Sequence, residues 1–213
     1  MRFPPGRLVV GLLAVSIVLW AVMYFGTLAH LSAAAEGAQP FDLRPRGYSV
    51  GEARALLTML GDAGRAYYAD VQLALDTIYP ATYALSRALA IWWLTMPGRL
   101  CAAPLAPALR WILIVPPVAA AAFDYWENSL IRKMLAAGPA VAGDLVHMAS
   151  VATQLKSAAG AVGEVTMIAF AIVVFVRWRR RVTVKNASAC RRWRRRCSCC
   201  RGSRRNRWPG SPP

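Results

Sequence analysis

Three polar side chains interrupt an apolar segment in the second half of the chain. Asp124, Glu127 and Asn128 lie within residues 118–131, where most other side chains are apolar or aromatic. Their spacing of three and four residues places them on one face of a helix. Because a carboxylate at membrane depth is costly unless it is paired, hydrated or protonated, such residues indicate a ligand, ion or proton site.

Two further segments carry polar residues at helical spacing. One stripe, with steps of three and four residues, consists of Gln72, Asp76, Tyr79, Tyr83 and Arg87. Lys156 and Glu164 lie two steps of four residues apart, with Gly160 between them. Gly160 and Gly163 would allow the backbone of a neighbouring helix to approach closely. These stripes are expected to face one another or a water-filled cavity, and not lipid.

Counted along their helices, these groups reach a similar depth, in the outer half of a membrane. The candidate ligand-binding or ion-binding residues are Asp76, Tyr79, Tyr83, Asp124, Glu127, Asn128, Lys156 and Glu164. Lys156 is the one cation expected among four acids, because the long side chain of Arg87 is expected to extend towards the inner surface. Either some of the acids are protonated, or a cation or basic ligand completes an acidic pocket. The competing interpretation is interhelical hydrogen bonding that only stabilises the bundle, at about 0.6–2 kcal/mol per contact.

The composition indicates a membrane protein. Of the 213 residues, 57% are hydrophobic and 17% charged, against about 45–50% and about 25% in average soluble domains. The formal net charge of +16 resembles that of a nucleic-acid-binding protein. However, residues 177–213 contain fourteen Lys and Arg residues and no acid, so the basic charge belongs to a tail. We therefore expect no nucleic-acid partner.

The predicted fold is all-α: a membrane four-helix bundle with an extra amphipathic helix in the first outside loop. The 24 residues of the first apolar run exceed the core of a cleaved signal peptide, about 7–15 residues, which favours an uncleaved helix. Ser49 and Glu52 have the spacing of a capping box, and Pro116-Pro117 should kink or break the third span. The predicted order is residues 1–7, span 8–31, loop 32–70 with helix 49–68, span 71–94, loop 95–110, span 111–130, outer segment 131–156 (helical from about 144), span 157–176 and tail 177–213.

Arginines that follow the last span predict the orientation. Residues 177–181 contain four arginines, and basic residues beside a span remain in the cytoplasm. Four spans then place both termini in the cytoplasm, and the localisation expected is the bacterial cytoplasmic (inner) membrane. The lipid bilayer is the first expected partner, and another membrane protein is a second possible one.

The basic tail is expected to be disordered, and three interpretations of it stay open. It could bind anionic lipid headgroups, at about 1 kcal/mol per Lys or Arg near the surface. Cys190, Cys197, Cys199 and Cys200 could bind a metal, but they lack paired Cys-x-x-Cys spacing and lie among arginines that repel cations. The tail could also be the out-of-frame end of a GC-rich gene. No cofactor and no metal are expected, since no metal-binding histidine spacing or nucleotide-binding glycine loop is present.

Several short motifs resemble those of a group of small bacterial four-helix integral membrane proteins of uncharacterised activity. The motifs are Phe41-Asp-Leu-Arg-Pro-Arg-Gly-Tyr48, Glu52-Ala-Arg54, Tyr79-Pro80 and Phe123-Asp-Tyr-Trp-Glu-Asn128. The resemblance covers roughly residues 8–176 and omits the tail. It implies the four-span architecture and carries no activity.

Three functions are compatible with these patterns. The first is an outward-facing acidic pocket that binds a cation, a proton or a small basic or lipidic ligand. The second is a structural or interaction subunit of a membrane complex. The third is an intramembrane enzyme acting on a lipid or isoprenoid, with Asp124 or Glu127 as proton donor and Lys156 as charge partner. Without a nucleophile or metal motif, the sequence favours a protein that is not an enzyme.

Overall fold

The computed structural model describes residues 6–96 and 105–196, with side chains as far as Arg180. Within these ranges the chain is mostly helical and contains no strand, so the all-α prediction is confirmed. The elements are α1 (Gly6–Val22), a π-helical turn (Met23–Thr27), α2 (Leu28–Ala34), a 3-10 helix (Phe41–Leu43), α3 (Val50–Tyr67), a second π-helical turn (Tyr68–Gln72), α4 (Leu73–Leu94), α5 (Pro107–Ala137), a 3-10 helix (Gly138–Ala140) and α6 (Gly143–Arg196).

The chain divides into two compact units, residues 1–171 and 172–213. The first contains α1 to α5 and the N-terminal part of α6. The described part of the second is the C-terminal part of α6. Half of the predicted inner loop, 95–110, lies outside the described residues, as does most of the N-terminal segment 1–7.

Three helices are long and apolar enough to cross a membrane. They are Gly6–Ala34, Pro107–Ala140 and Gly143–Arg180, with mean hydropathies of 2.5, 1.3 and 2.2. The predicted second span, 71–94, is helical in the structure but is not one of these three, since Asp76 and Arg87 lower its hydropathy. Four membrane crossings therefore stay a prediction.

The segment predicted as amphipathic helix 49–68 contains α3, whose backbone is non-helical at Gly61, with a φ of +60°. The Ser49 hydroxyl accepts a hydrogen bond from the Glu52 backbone N–H, and the Glu52 carboxylate accepts one from the Ser49 backbone N–H. This reciprocal pair satisfies two of the amides that a helix start leaves free. The apolar face of the helix is buried against α5, the loop before α3 and the start of α6, and its buried members are Ala53, Leu56, Leu57 and Leu60.

The loop between α2 and α3 is ordered by contacts with α6. The Tyr48 backbone N–H donates to the Ser150 hydroxyl oxygen over 2.9 Å. Gly47 precedes it with a φ of +80°, and a Cβ there would lie 2.4 Å from that same oxygen. Both the backbone conformation and the close approach therefore require glycine. Phe41, in the same loop, is fully buried and directly precedes Asp42.

Helices α5 and α6 pack closely beside Pro116 and Pro117. The helix is not broken at the proline pair, because α5 runs from Pro107 to Ala137. A Cβ on Gly163 would lie 3.2 Å from Pro117 Cδ, so the glycine permits the approach expected from the sequence. The predicted outer segment 131–156 is mostly helix, since only residues 138–142 separate α5 from α6, and α6 begins at Gly143 as predicted.

The disorder predicted for the tail is wrong for residues 177–196. The structure continues α6 to Arg196, and residues 197–213 lie outside the described part of the chain. Arginine, which supplies nine of these twenty residues, is a good helix former. Extending an existing helix also needs no new nucleus, so a segment with no core of its own can stay helical.

Candidate functional site

A cavity of about 400 Å³ lies among the helices of the first unit. Its charged lining consists of Asp42, Asp76, Arg87, Asp124, Lys156 and Glu164. Apolar lining comes from Trp20, Met23, Leu28, Leu43, Pro117 and Ala120. Tyr79 and Tyr83 also line it. The site therefore combines a largely apolar wall with four carboxylates and two cations.

Lys156 forms the centre of a buried charge network between α5 and α6. Its Nζ atom lies 3.0 Å from Asp124 Oδ1 and also pairs with the carboxylate of Glu127. The Thr153 hydroxyl donates to Glu127, and the Tyr83 hydroxyl donates to Asp124 over 3.3 Å. Both carboxylates are almost fully buried. One lysine thus serves two acids, in accord with the acid excess expected from the sequence.

Arg87 pairs with Glu164, which corrects one expectation. The Nε of Arg87 donates to Glu164 Oε2 over 2.5 Å, and its Nη1 donates to the Ser16 hydroxyl over 3.4 Å. The guanidinium also lies over the Tyr83 ring, 5.2 Å from its centroid. The expectation that Lys156 is the one cation among these acids is therefore wrong. Depth along a helix axis does not fix the end point of a long side chain, and a carboxylate within reach holds it here.

Asp76 has no cationic partner in the described part of the chain. It is 3% exposed, and its Oδ2 atom is buried without a hydrogen-bond partner. The ion pairs within residues 6–96 and 105–180 involve other acids. Asn128 donates from Nδ2 to the backbone oxygen of Asp76 over 3.0 Å, a bond that does not involve the carboxylate. A buried polar atom without a partner costs free energy, and in a native protein it calls for an explanation.

Asp42 is a second acid of the cavity wall without a cationic partner in the described chain. Its Oδ2 accepts a hydrogen bond from the Tyr68 hydroxyl, while Oδ1 is buried without a hydrogen-bond partner. Burial, together with the charge of Asp42, raises the pKa of the Tyr68 phenol well above its usual value. Tyr68 therefore stays a neutral donor, and Asp42 forms no ion pair within the described residues.

Six of the eight residues proposed from the sequence line this one cavity. They are Asp76, Tyr79, Tyr83, Asp124, Lys156 and Glu164. Glu127 and Asn128 do not line it and instead contact the lining residues, Glu127 through Lys156 and Asn128 through Asp76.

Sequence reasoning missed Asp42, Arg87 and Trp20 as parts of the wall. The polar stripe that contains Arg87 was a signal for it. Asp42 carried no comparable signal, since it belongs to a loop whose position depends on α6.

The described residues contain no group of three His, Cys, Asp or Glu side chains able to hold a metal ion. Comparisons of the chain with protein-family models, with curated proteins and with solved structures find no match.

Proposed function

We propose that this chain is a small multi-pass protein of the bacterial cytoplasmic membrane whose acidic cavity binds a cation. The unpaired, buried carboxylate of Asp76 carries the proposal. Its two neighbouring cations, Lys156 and Arg87, are already engaged by other acids. A cationic ligand or a proton would neutralise the charge that these pairs leave over.

The exposure pattern of α4 supports a fourth membrane crossing. Its exposed large residues are apolar, Ile78 at 56% and Leu85 at 53%. Its buried residues include Asp76 and Ser86. The buried side also contains Leu73, Ile91 and Leu94. A helix with apolar residues on its exposed side and an acid on its buried side suits one that faces lipid outside and a polar site inside. With four crossings and the arginines from Arg177 onward inside, both termini are cytoplasmic.

The experiment compares the thermal stability of the full chain in lipid nanodiscs with and without added cations. The variants are wild type, Asp76→Asn, and Asp62→Asn as a matched control whose side chain is fully exposed. Sodium, calcium and alkylammonium chlorides are tested at constant ionic strength, and pH is varied separately. We expect at least one cation, or the proton, to raise the Tm of wild type and of Asp62→Asn but not of Asp76→Asn.

A Tm that responds equally in all three proteins, or in none, would refute the cation site. Asp76 is a sharper test position than Asp124, because Asp124 also holds Lys156. Replacing Asp124 would change the stability of the protein with or without a ligand.

A structural subunit is the second candidate, and the Lys156 network favours it. Asp124, Glu127 and Thr153 all converge on this one region between α5 and α6, as expected for contacts that fix helix register. This function predicts that a stoichiometric membrane partner co-purifies with the chain. It also predicts that Asp124→Asn and Lys156→Met each lower stability and abolish binding of the partner. The Asp76→Asn substitution should then not alter any effect of cations on the Tm.

A further inference from the structure

The shape and lining of the cavity narrow the class of cation. We infer that the ligand is an amphiphilic amine, in which an ammonium group binds Asp76 and Asp42 and an apolar body fills the rest of the cavity. This inference rests on the proposed function and names the ligand of the same site.

The arrangement of the carboxylates favours an ammonium over a metal ion. Calcium needs about 6–8 oxygen ligands at close range. Within residues 6–96 and 105–180, no three acidic, His or Cys side chains are grouped for that purpose. An ammonium group needs only hydrogen-bond acceptors for its three N–H donors. Asp76 Oδ2 and Asp42 Oδ1 are buried acceptors without a partner, and both residues line the cavity.

The size of the cavity requires more than a bare ammonium ion. About 400 Å³ falls within the range of sites for small organic molecules, about 300–1,000 Å³. Much of the remaining wall is apolar and comes from four elements, through Trp20, Met23, Leu43, Pro117 and Ala120. A hydrated inorganic cation would leave this surface unused, whereas an alkyl or aryl body would cover it.

The cations already present do not oppose such a ligand. Lys156 is held by Asp124 and Glu127, and Arg87 is held by Glu164. The positive charges of Lys156 and Arg87 are therefore balanced by carboxylates of the protein. Lys156 has two carboxylate partners, one more than its single charge requires. Among the cavity-lining acids of the described residues, Asp76 and Asp42 form no ion pair and are left to receive the ammonium group.

The test uses n-alkylammonium chlorides of four, six and eight carbons as probes, on the full chain in nanodiscs. The binding constant is measured by thermal shift or calorimetry. For wild type, we expect it to rise about fourfold per added methylene, from the usual gain on burying a CH₂. Partitioning of amines into lipid also increases with each added methylene by a similar factor. The informative quantity is therefore the ratio of the binding constants of two variants measured in the same nanodiscs.

Asp76→Asn is expected to weaken n-octylammonium binding at least tenfold, and Asp62→Asn to leave it unchanged. Asp42→Asn, in a loop outside the predicted spans, should weaken it too and provides a second variant if Asp76→Asn does not fold. Uncharged n-octanol should bind all variants alike.

Three results would overturn the inference. In the first, the Tm response to sodium, calcium or pH depends on Asp76 but n-octylammonium binding does not. The proposed cation or proton site is then supported, and the inference that its ligand is an amine is wrong. In the second, n-octanol discriminates between the variants as the amine does, which makes charge irrelevant. In the third, no cation and no pH change depends on Asp76, and the proposed function fails as well.

Discussion

Arg87 on α4 donates from its Nε to a carboxylate oxygen of Glu164 on α6, which lies 77 residues later in the chain. The pair joins two helices across the cavity and supplies the second internal cation of the site. Since the Glu164 side chain is 40% exposed, the pair is only partly buried. We expect a coupling free energy of about 1 kcal/mol, the upper end for exposed pairs.

A double-mutant cycle with Arg87→Gln and Glu164→Gln measures this coupling from unfolding in SDS mixed micelles. Arg132→Gln, an exposed arginine of α5, controls for the loss of one positive charge. Strictly additive effects of the two substitutions would show that the residues do not interact.

Replacing Lys156 by methionine should be the most destabilising single change at the site. It leaves Asp124 and Glu127 buried without a cation, and breaking a buried ion pair in this way costs about 3–5 kcal/mol. Lys133→Met, at an exposed position of α5, should change stability little. The free energy of unfolding in mixed micelles gives the comparison.

A triple variant separates lost pairing from lost packing. Adding Asp124→Asn and Glu127→Gln to Lys156→Met removes the unpaired charges, so most of the lost stability should return. If the triple variant is as unstable as Lys156→Met alone, the charges are not the cause.

Gly163→Val should separate α5 from α6. A Cβ at this position lies 3.2 Å from Pro117 Cδ and 3.3 Å from its backbone nitrogen, and a ring in a helix has little room to move. Overpacking of this kind costs about 1–3 kcal/mol. Gly11→Val in α1 is the matched control, since a Cβ there meets nothing within 4 Å. Equal thermal stability of the two variants would contradict the close helix contact.

Helical periodicity was enough to find most of the candidate site. Steps of three and four residues put Asp76, Tyr79 and Tyr83 on one face, and the structure brings that face against Asp124 and Lys156. Such periodicity is a local property of the sequence, so it can be recognised without knowledge of the tertiary fold. The start of α6 and the capped start of α3 were predictable for the same reason.

The missed residues depend on contacts between distant parts of the sequence. Asp42 reaches the cavity because its loop is held by the Tyr48–Ser150 hydrogen bond, which spans 102 positions. Arg87 was placed by the depth of its Cα, whereas its guanidinium is placed by Glu164. Neither the path of a loop nor the end of a long side chain follows from spacing along the chain.

Stability should fall in acid through the capping box of α3. Hydrogen bonds from the backbone and side chain of Ser49 hold the pKa of Glu52 below its ordinary value. A carboxylate with a lowered pKa in the folded state stabilises that state above its ordinary pKa, and the contribution is lost as pH falls through the lowered value. Protection of the first-turn amides of α3 against hydrogen exchange should therefore decrease below about pH 4.5.

Glu52→Gln isolates this effect. Glutamine keeps the capping geometry but does not titrate, so amide protection should lose its acid dependence. Asp62→Asn, in the same helix, should retain it. The prediction fails if Glu52→Gln and wild type lose protection over the same pH range.

Four polar side chains on one side of helix α6 contact three other elements. Ser150 binds the loop, Thr153 and Lys156 bind α5, and Glu164 binds α4. A slip of α6 by a single residue turns this side by about 100° and breaks all four contacts together, since a helix has about 3.6 residues per turn. Alternative alignments of α6 are therefore separated from the native one by a gap in energy, and the cavity has one shape.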